Sequence, residues 1–156
     1  LNNYFTIEAT RSLVERYAEV FEERKGDPNR LNAHVDKPKV GWSVKVVVAP
    51  TDKQADATAR KAFATWEEHI TYLERRAGIP ARAERGDYEH HRGNGSMIVG
   101  SPERVAEEVN ATVAGTGVYS LLCSITFGNL PFAEAKQSME LFAEHVMPQF
   151  PQGVSG

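Results

Sequence analysis

Cysteine is nearly absent from this sequence, which contains only Cys123. One cysteine cannot form an internal disulfide, and such scarcity is typical of a reducing compartment, so a cytoplasmic location is the simplest expectation. The sequence also has no apolar run approaching the length of a membrane span and no stretch with the pattern of a signal peptide. These absences argue against a membrane-spanning protein.

A strong excess of charge of one sign is also missing. The formal net charge is −3 and the basic residues are scattered, which argues against a nucleic-acid surface. With 156 residues, of which 41% are hydrophobic and 25% charged, the chain has the length and composition of one ordinary globular domain. We therefore expect a single domain over 1–156, with neither nucleic acid nor membrane as a partner.

Strong local motifs are absent: there is no Walker loop, GxGxxG, HExxH, CxxC or GxSxG. Gly100, Ser101 and Pro102 could hold an anion at a helix amino terminus, but the same residues suit a helix start and we favour plain capping. His90 and His91 are adjacent, and neighbours on an extended chain point to opposite sides. We therefore predict that both histidines are solvated and that the chain has no metal site.

The stretch from Met97 to Phe150 has the clearest secondary-structure signals. Ser101 and Pro102 begin a helix in which valine recurs at every fourth position. Val118–Ile125 is an almost wholly apolar run of strand length, and Pro131 begins another one-sided helix. An apolar strand between two one-sided helices indicates a parallel α/β sheet covered by helices.

The earlier segments continue this alternation. The patterns predict a short strand at Leu1–Thr6, an amphipathic helix ending near Gly26, a strand at Trp42–Ala49 and a long helix ending before Gly78. The polar stretch 81–96 lacks either periodicity and is long for a routine connection. We interpret it as a mobile lid loop, with a solvated excursion as the alternative.

Three parallel strands are too few for a self-sufficient sheet. Such a sheet leaves two unpaired edges, and parallel sheets are found almost only with both faces covered. The chain also begins with Leu1 instead of Met. We therefore expect further strands from an upstream segment or from another chain.

Aromatic residues follow or face the predicted strands. Tyr4 and Phe5 end the first strand, Phe127 ends the last, and Trp66 lies in the long helix. Ligands of parallel α/β folds bind at the carboxyl ends of strands, so these rings could line a flat apolar ligand. For Trp66 the alternative of a simple core anchor stays open.

The segments IVGSPERVAEEV, TGVYSLLCSITFGNLP and SMELFAEHVMPQF together resemble the C-terminal end of the luciferase-like flavin monooxygenases, which include bacterial luciferase. The earlier strand and helix segments fit the same family. The resemblance covers nearly the whole chain and is weakest at 81–96. It implies the C-terminal portion, about three strand–helix units, of a (β/α)8 TIM barrel.

Within that barrel the resemblance assigns Leu1–Thr6 to the sixth strand, Trp42–Ala49 to the seventh and Val118–Thr126 to the eighth. It also implies that Tyr4, Phe5, Trp66 and Phe127 line the cofactor or substrate pocket, a set that comes from strand position and from the tryptophan near the flavin in luciferase. The catalytic residues are expected in the N-terminal half of the barrel, which is not in this sequence.

The resemblance implies a monooxygenase that uses reduced FMN and O2 to oxidise a small organic substrate. Its partners would be the N-terminal half of the barrel, in the same or a separate chain, and a flavin reductase, and the complete enzyme would be a dimer. The isolated segment would be inactive. Two alternatives stay open: an oxidoreductase that uses the deazaflavin F420, and a non-catalytic flavin-binding or assembly protein that kept the fold.

Overall fold

The computed structural model describes residues 5–80 and 86–150 of the chain. In chain order its elements are α1 (Ile7–Glu23), β1 (Gly41–Val48), α2 (Asp52–Arg76), α3 (Tyr88–Gly93), β2 (Met97–Gly100), α4 (Pro102–Thr116), β3 (Ser120–Ser124) and α5 (Phe132–Leu141), followed by a π-helical turn (Phe142–Val146) and a 3-10 turn (Met147–Gln149). This alternation confirms the predicted α/β class. None of the described helices is both long and apolar enough to cross a membrane.

The three strands form one parallel sheet in the order β2-β1-β3. The second half of β1 pairs with Met97–Gly100, and its first half pairs with Ser120–Ser124. The strands predicted around Trp42–Ala49 and Val118–Ile125 are therefore confirmed as parallel neighbours. Their places as the seventh and eighth strands of a barrel remain a prediction.

The strand β2 was not predicted from the sequence. It has four residues, too few to show a periodicity, and it is held by β1: the amide of Lys45 donates to the carbonyl of Ser96 at 3.1 Å, and the amide of Ala49 donates to the carbonyl of Gly100 at 3.2 Å. β2 pairs with one edge of β1 and β3 pairs with the other edge. The two strands are therefore consecutive in the chain but are not neighbours in the sheet.

The predicted strand at Leu1–Thr6 is not found in its described part. Residues 1–4 lie outside the described residues, and Phe5 forms a bend. Thr6 is the N-cap of α1, its side chain accepting a hydrogen bond from the amide of Ala9. Capping requires an extended residue immediately before the helix, so these two positions serve α1 instead of a strand.

The helix starts follow the predicted capping chemistry. The side chains of Thr51 and Ser101 accept hydrogen bonds from backbone amides three residues later, at the starts of α2 and α4. α4 has proline in its first turn and ends at Gly117, whose φ of 70° lies in the left-handed region. These local signals were sufficient to locate both helices.

The helices cover opposite faces of the sheet. Alternate residues of β1, namely Trp42, Val44, Val46 and Val48, pack in one buried cluster with side chains of α4 and with Val146 of the π-helical turn, and residues of α1 lie against it. Val47 and Met97 lie in a second cluster with Ala55, Ala59 and Phe63 of α2. Because side chains alternate along a strand, Lys45 lies on the same face as Val47.

The strand β3 is less covered than the sequence predicted. Its apolar run indicated a strand buried on both faces, but Tyr119 and Leu122 are each 58% exposed. β3 is an edge strand of the sheet, with β1 as its neighbour on one side. The structure therefore leaves an apolar strand partly open to solvent, as expected of a sheet that lacks further strands.

Part of the 81–96 stretch is ordered helix. Residues 81–85 lie outside the described residues, and Asp87 caps the short helix α3. The prediction that His91 is solvated is wrong, because its side chain is 1% exposed, whereas His90 is exposed. The side chains of adjacent residues point in more similar directions on a helix than on a strand. Tyr88 and His91 pack under α2 against Phe63, and this packing buries His91 and leaves His90 exposed.

Candidate functional site

Two of the four predicted pocket residues lie at the same cluster. Trp66 and Phe127 both pack against the buried side chains beneath α2. Phe5 is 38% exposed and precedes α1, whose Ile7 packs on the opposite face of the sheet. Tyr4 lies outside the described residues. The structure thus brings Trp66 and Phe127 together and does not bring Phe5 to them.

Phe127 reaches α2 because of the glycine that follows it. Gly128 has a φ of 57°, and a Cβ atom there would lie 1.9 Å from the carbonyl oxygen of Ala62. Such a contact is impossible for any other residue without movement of the backbone. The loop after β3 is therefore seated directly on α2.

Trp66 is part of an aromatic group formed by α2 and α3. Its ring is tilted against Phe63 with centroids 5.3 Å apart, and it meets His91 edge-on at 5.7 Å. Phe63 also contacts Tyr88 at 5.7 Å, near perpendicular, which is a favourable aromatic geometry. We refer to Lys45, Phe63, Trp66, Tyr88 and His91 as the Lys45 cluster.

Lys45 is a member of this cluster that was not among the predicted pocket residues. It is 2% exposed, and its Nζ lies 3.6 Å from the centroid of the Trp66 ring. Among the described residues Nζ has no hydrogen-bond partner, and burial lowers the pKa of the amine to about 8. The available signal was a lone lysine within a run of valines, VKVVV, where a buried strand would otherwise be continuously apolar.

His91 joins the cluster to the start of β2. Its Nδ1 and the Oγ of Ser96 share a hydrogen bond of 2.7 Å, and both side chains are buried. This contact closes the turn between α3 and β2. A nucleophilic role for Ser96 is not supported, because its hydroxyl is sealed from solvent.

A network of polar side chains holds α3 against α2. The hydroxyl of Tyr88 donates to Asp56 Oδ1 at 2.8 Å, and burial together with this carboxylate raises the pKa of the phenol. Arg60 donates to Asp56 at 2.7 Å and to Glu89 at 2.6 Å. These contacts fix the position of α3, and therefore of His91, beneath α2.

A cleft lies at the carboxyl end of β1, the usual ligand position in a parallel α/β fold. It has a volume of 280 Å³ and is lined by Val47, Val48, Ala49, Pro50, Gln54, Thr58, Glu134 and Gln137. Thr58 donates to Glu134 at 2.8 Å across it. Ligand pockets usually have volumes of about 300–1,000 Å³, so this cleft suits a small polar group better than a whole cofactor.

Solved structures with similar folds are monooxygenases. The chain resembles monooxygenase RslO1 from Streptomyces bottropensis with a TM-score of 0.71 and 19% identity, covering 97% of this chain and 41% of that one. It resembles the oxygenating constituent of 3,6-diketocamphane monooxygenase, from the CAM plasmid of Pseudomonas putida and in complex with FMN, with a TM-score of 0.65 and 26% identity, covering 94% and 41%. For the long-chain alkane monooxygenase LadA the TM-score is 0.56 and the identity 16%, covering 93% and 34%.

These coverages bear on the fold. The chain spans about two fifths of the length of RslO1 and of the diketocamphane enzyme, and about a third of LadA. The parallel sheet with its helices, matched over this share of each neighbour, fits part of a TIM barrel. No curated protein matches the chain.

The family is shown by the sequence. The model of the luciferase-like monooxygenases matches residues 1–120. That match includes β1, α2, the whole Lys45 cluster, β2 and α4. The chain therefore belongs to the luciferase-like monooxygenase family.

Proposed function

We propose that this chain is part of an FMN-dependent monooxygenase that uses O2 to oxidise a small organic substrate. The observation that carries the proposal is a buried group of aromatic rings and one lysine in a chain of this family. The relative at 26% identity is described in complex with FMN, which supports the choice of cofactor. A reducing cytoplasm remains the predicted setting.

The residues of the Lys45 cluster suit a flavin in their chemistry. Trp66 and Phe63 offer flat apolar surface, and Lys45 offers N–H donors that meet no acceptor among the described residues. Reduced FMN, when bound, supplies the electrons for activation of O2. The part of this chain is to contact the cofactor through Trp66, Phe127 and Lys45, and to exclude water. We keep a lid role for the 81–96 segment as a proposal, and it requires α3 to move away from its packed position against α2.

The remaining strands of the barrel complete the proposed enzyme. They would cover β3, whose Tyr119 and Leu122 are exposed, and they would supply the catalytic residues. We propose that they come from an N-terminal half in the same or a separate chain, that a flavin reductase delivers reduced FMN, and that the complete enzyme is a dimer. The segment alone would be inactive because it holds only part of the site.

The proposal is tested by measuring oxygenation with and without the rest of the barrel. The 156-residue chain, supplied with reduced FMN and O2, should oxidise no substrate from a panel of alkanals, cyclic ketones and alkanes. The protein with all barrel strands should oxidise at least one, and product should be detected by mass spectrometry with ¹⁸O2 as the oxygen source. Turnover by the 156-residue chain alone would contradict the claim that it is inactive.

The same preparation identifies the cofactor. FMN and the deazaflavin F420 differ in their visible absorption, so the spectrum of the purified complete protein distinguishes an FMN monooxygenase from an F420-dependent oxidoreductase. Flavin binding without product formation on any substrate would instead favour a non-catalytic flavin-binding protein.

A further inference from the structure

We infer that Lys45 binds an anionic group of the cofactor, and that Trp66 covers the amine until the cofactor is bound. This inference rests on the proposed function and adds to it a residue of the cofactor site. The anionic group is either the phosphate of FMN or the negatively charged ring of the reduced flavin. Both present oxygen or nitrogen acceptors to an ammonium.

The first observation is a buried cation without a polar partner. Lys45 lies in the middle of β1, and among the described residues its Nζ has neither a hydrogen bond nor an ion pair. A charged amine in such a place is strongly unfavourable unless something compensates it. The Trp66 ring compensates part of the charge through a cation–π contact at 3.6 Å. An anion would compensate it fully.

The second observation is that neither the strand pairing nor the packing at position 45 requires a lysine. Lys45 and the three residues that follow it in β1 pair with β2 through backbone groups that any residue could provide. The remaining buried side chains on this face include Val47, Met97 and Phe63, all of them apolar. A methionine of similar length would fill the same space without a charge. The lysine is therefore best explained by a ligand.

The third observation concerns access. Trp66 is only partly buried, and its ring lies 3.6 Å from Nζ. Binding of an anion to Nζ therefore requires the Trp66 side chain to change its rotamer. In the structure the ring also contacts Phe63 and His91.

The surroundings select an anion over other ligands. The His91 ring contacts the Trp66 ring edge-on, and Nδ1 of His91 is engaged by Ser96. No carboxylate among residues 5–80 and 86–150 reaches Nζ within ion-pair distance, so the described part of the chain does not neutralise the charge of Lys45. A flat molecule carrying negative charge matches both the aromatic rings and the cation.

The test measures binding of three flavin forms to the protein that contains all strands of the barrel. Oxidised riboflavin has a neutral ring and no phosphate, oxidised FMN adds the phosphate, and riboflavin reduced under anaerobic conditions has an anionic ring without phosphate. Calorimetry gives the Kd of each form for the wild type, Lys45→Met and Lys45→Arg. Lys61→Met is the matched control, because Lys61 is an exposed lysine of α2 that is not part of the Lys45 cluster.

We expect Lys45→Met to weaken one of the two anionic forms by about tenfold to a hundredfold, the range for a hydrogen bond to a charged group. Loss confined to oxidised FMN identifies the phosphate as the partner, and loss confined to reduced riboflavin identifies the ring. Binding of neutral oxidised riboflavin should not change. Lys45→Arg should retain most of the affinity, and Lys61→Met all of it.

Two results would overturn the inference about Lys45 and leave the proposed function intact. One is equal affinity of Lys45→Met and wild type for all three forms, and the other is a uniform loss across all three, which would indicate a structural role. If the wild type binds no flavin in any form, the proposed function and this inference are both wrong. The two failures are therefore distinguishable.

Discussion

At the scale of single residues, Lys45 has the most unusual position in the chain. Its amine is enclosed by apolar and aromatic side chains, and burial lowers its pKa to about 8 from an ordinary value of 10.5. Only the uncharged form tolerates such surroundings easily. A buried amine lowers the stability of the fold, and residues that do so are typical of binding sites, where a side chain is retained for its function at a cost in stability.

We predict that Lys45→Met raises the free energy of unfolding at pH 7, on the order of 1–3 kcal/mol, because it replaces a buried cation by an apolar side chain of similar length. Between pH 8 and about 10.5 the unfolded state retains the proton of Lys45 while the folded state has lost it. The stability of the wild type should therefore rise with pH across this window relative to the variant. Urea unfolding of both proteins at several pH values measures the difference.

The control for this prediction is Lys39→Met, which removes an exposed lysine and should change the free energy of unfolding by less than about 0.5 kcal/mol. If the difference in free energy of unfolding between wild type and Lys45→Met stays constant between pH 8 and about 10.5, the claim that Lys45 is a buried charge with a lowered pKa is contradicted.

Gly128 is the second residue whose identity is dictated by position. We predict that Gly128→Ala destabilises the protein by about 1–3 kcal/mol, because alanine is strained at positive φ and its Cβ would clash with the backbone of Ala62. Gly26→Ala is the control, since a Cβ at Gly26 meets no atom within 4 Å. Thermal or urea unfolding measures both, and equal stability of the two variants would show that the loop does not contact α2.

At the scale of elements, β1 is the strand to which the others attach. It pairs with both β2 and β3, and α5 is fixed to its end by one buried hydrogen bond: the amide of Val48 donates to the Oγ of Ser138 at 2.8 Å. A strand-end amide that loses its only acceptor in a buried place is costly. This contact also positions Glu134 and Gln137 at the cleft.

We predict that Ser138→Ala lowers the free energy of unfolding by about 1–3 kcal/mol, because the amide of Val48 is left without an acceptor. The comparison is Ser12→Ala, which removes an exposed hydroxyl that only bonds the carbonyl of Glu8 in its own helix, and should change stability by less than about 0.5 kcal/mol. Hydrogen exchange of the Val48 amide should accelerate in Ser138→Ala alone. Unchanged exchange would argue that α5 is not held by this bond.

The elements also show which parts of the structure could be predicted from the sequence. Helix starts at Thr6, Thr51 and Ser101 were predictable because capping depends on a few adjacent residues. The strand β2 and the helix α3 were not, because each is short and is stabilised by contacts with β1 or α2 that are distant in sequence. Tertiary packing decides such segments.

The same reasoning applies to the site. Trp66 and Phe127 were predicted by the family resemblance and by the position of Phe127 at a strand end, and the structure brings them to one cluster. Lys45 and His91 were missed as site residues because their contacts depend on α2 and α3 folding over the sheet. The lone lysine in a run of valines indicates a buried lysine, but it does not indicate what surrounds the amine.

At the scale of the whole molecule, the sheet has an apolar edge. β3 exposes Leu122 and Tyr119 at 58% each, and an unpaired edge with apolar side chains readily associates with another chain. In the complete barrel we expect neighbouring strands to cover this surface. In the 156-residue chain alone it should drive self-association.

We predict that the 156-residue chain self-associates in a concentration-dependent way and that Leu122→Lys reduces this association, because a charge on an edge strand opposes pairing. Leu31→Lys is the matched control: Leu31 is 99% exposed, but it lies in the loop before β1 and away from the sheet edge. Sedimentation equilibrium of the three proteins measures the difference. A wild-type chain that stays monomeric at all concentrations would contradict the prediction.

The central claim is that this chain supplies one part of a flavin site and the remaining strands of the barrel supply the rest. The most direct measurement is a titration of FMN, followed by the change in flavin fluorescence, into the 156-residue chain and into the protein with all barrel strands. We predict saturable binding by the complete protein and none by the 156-residue chain. Absence of binding to the complete protein, or equal binding by the 156-residue chain, would contradict the claim.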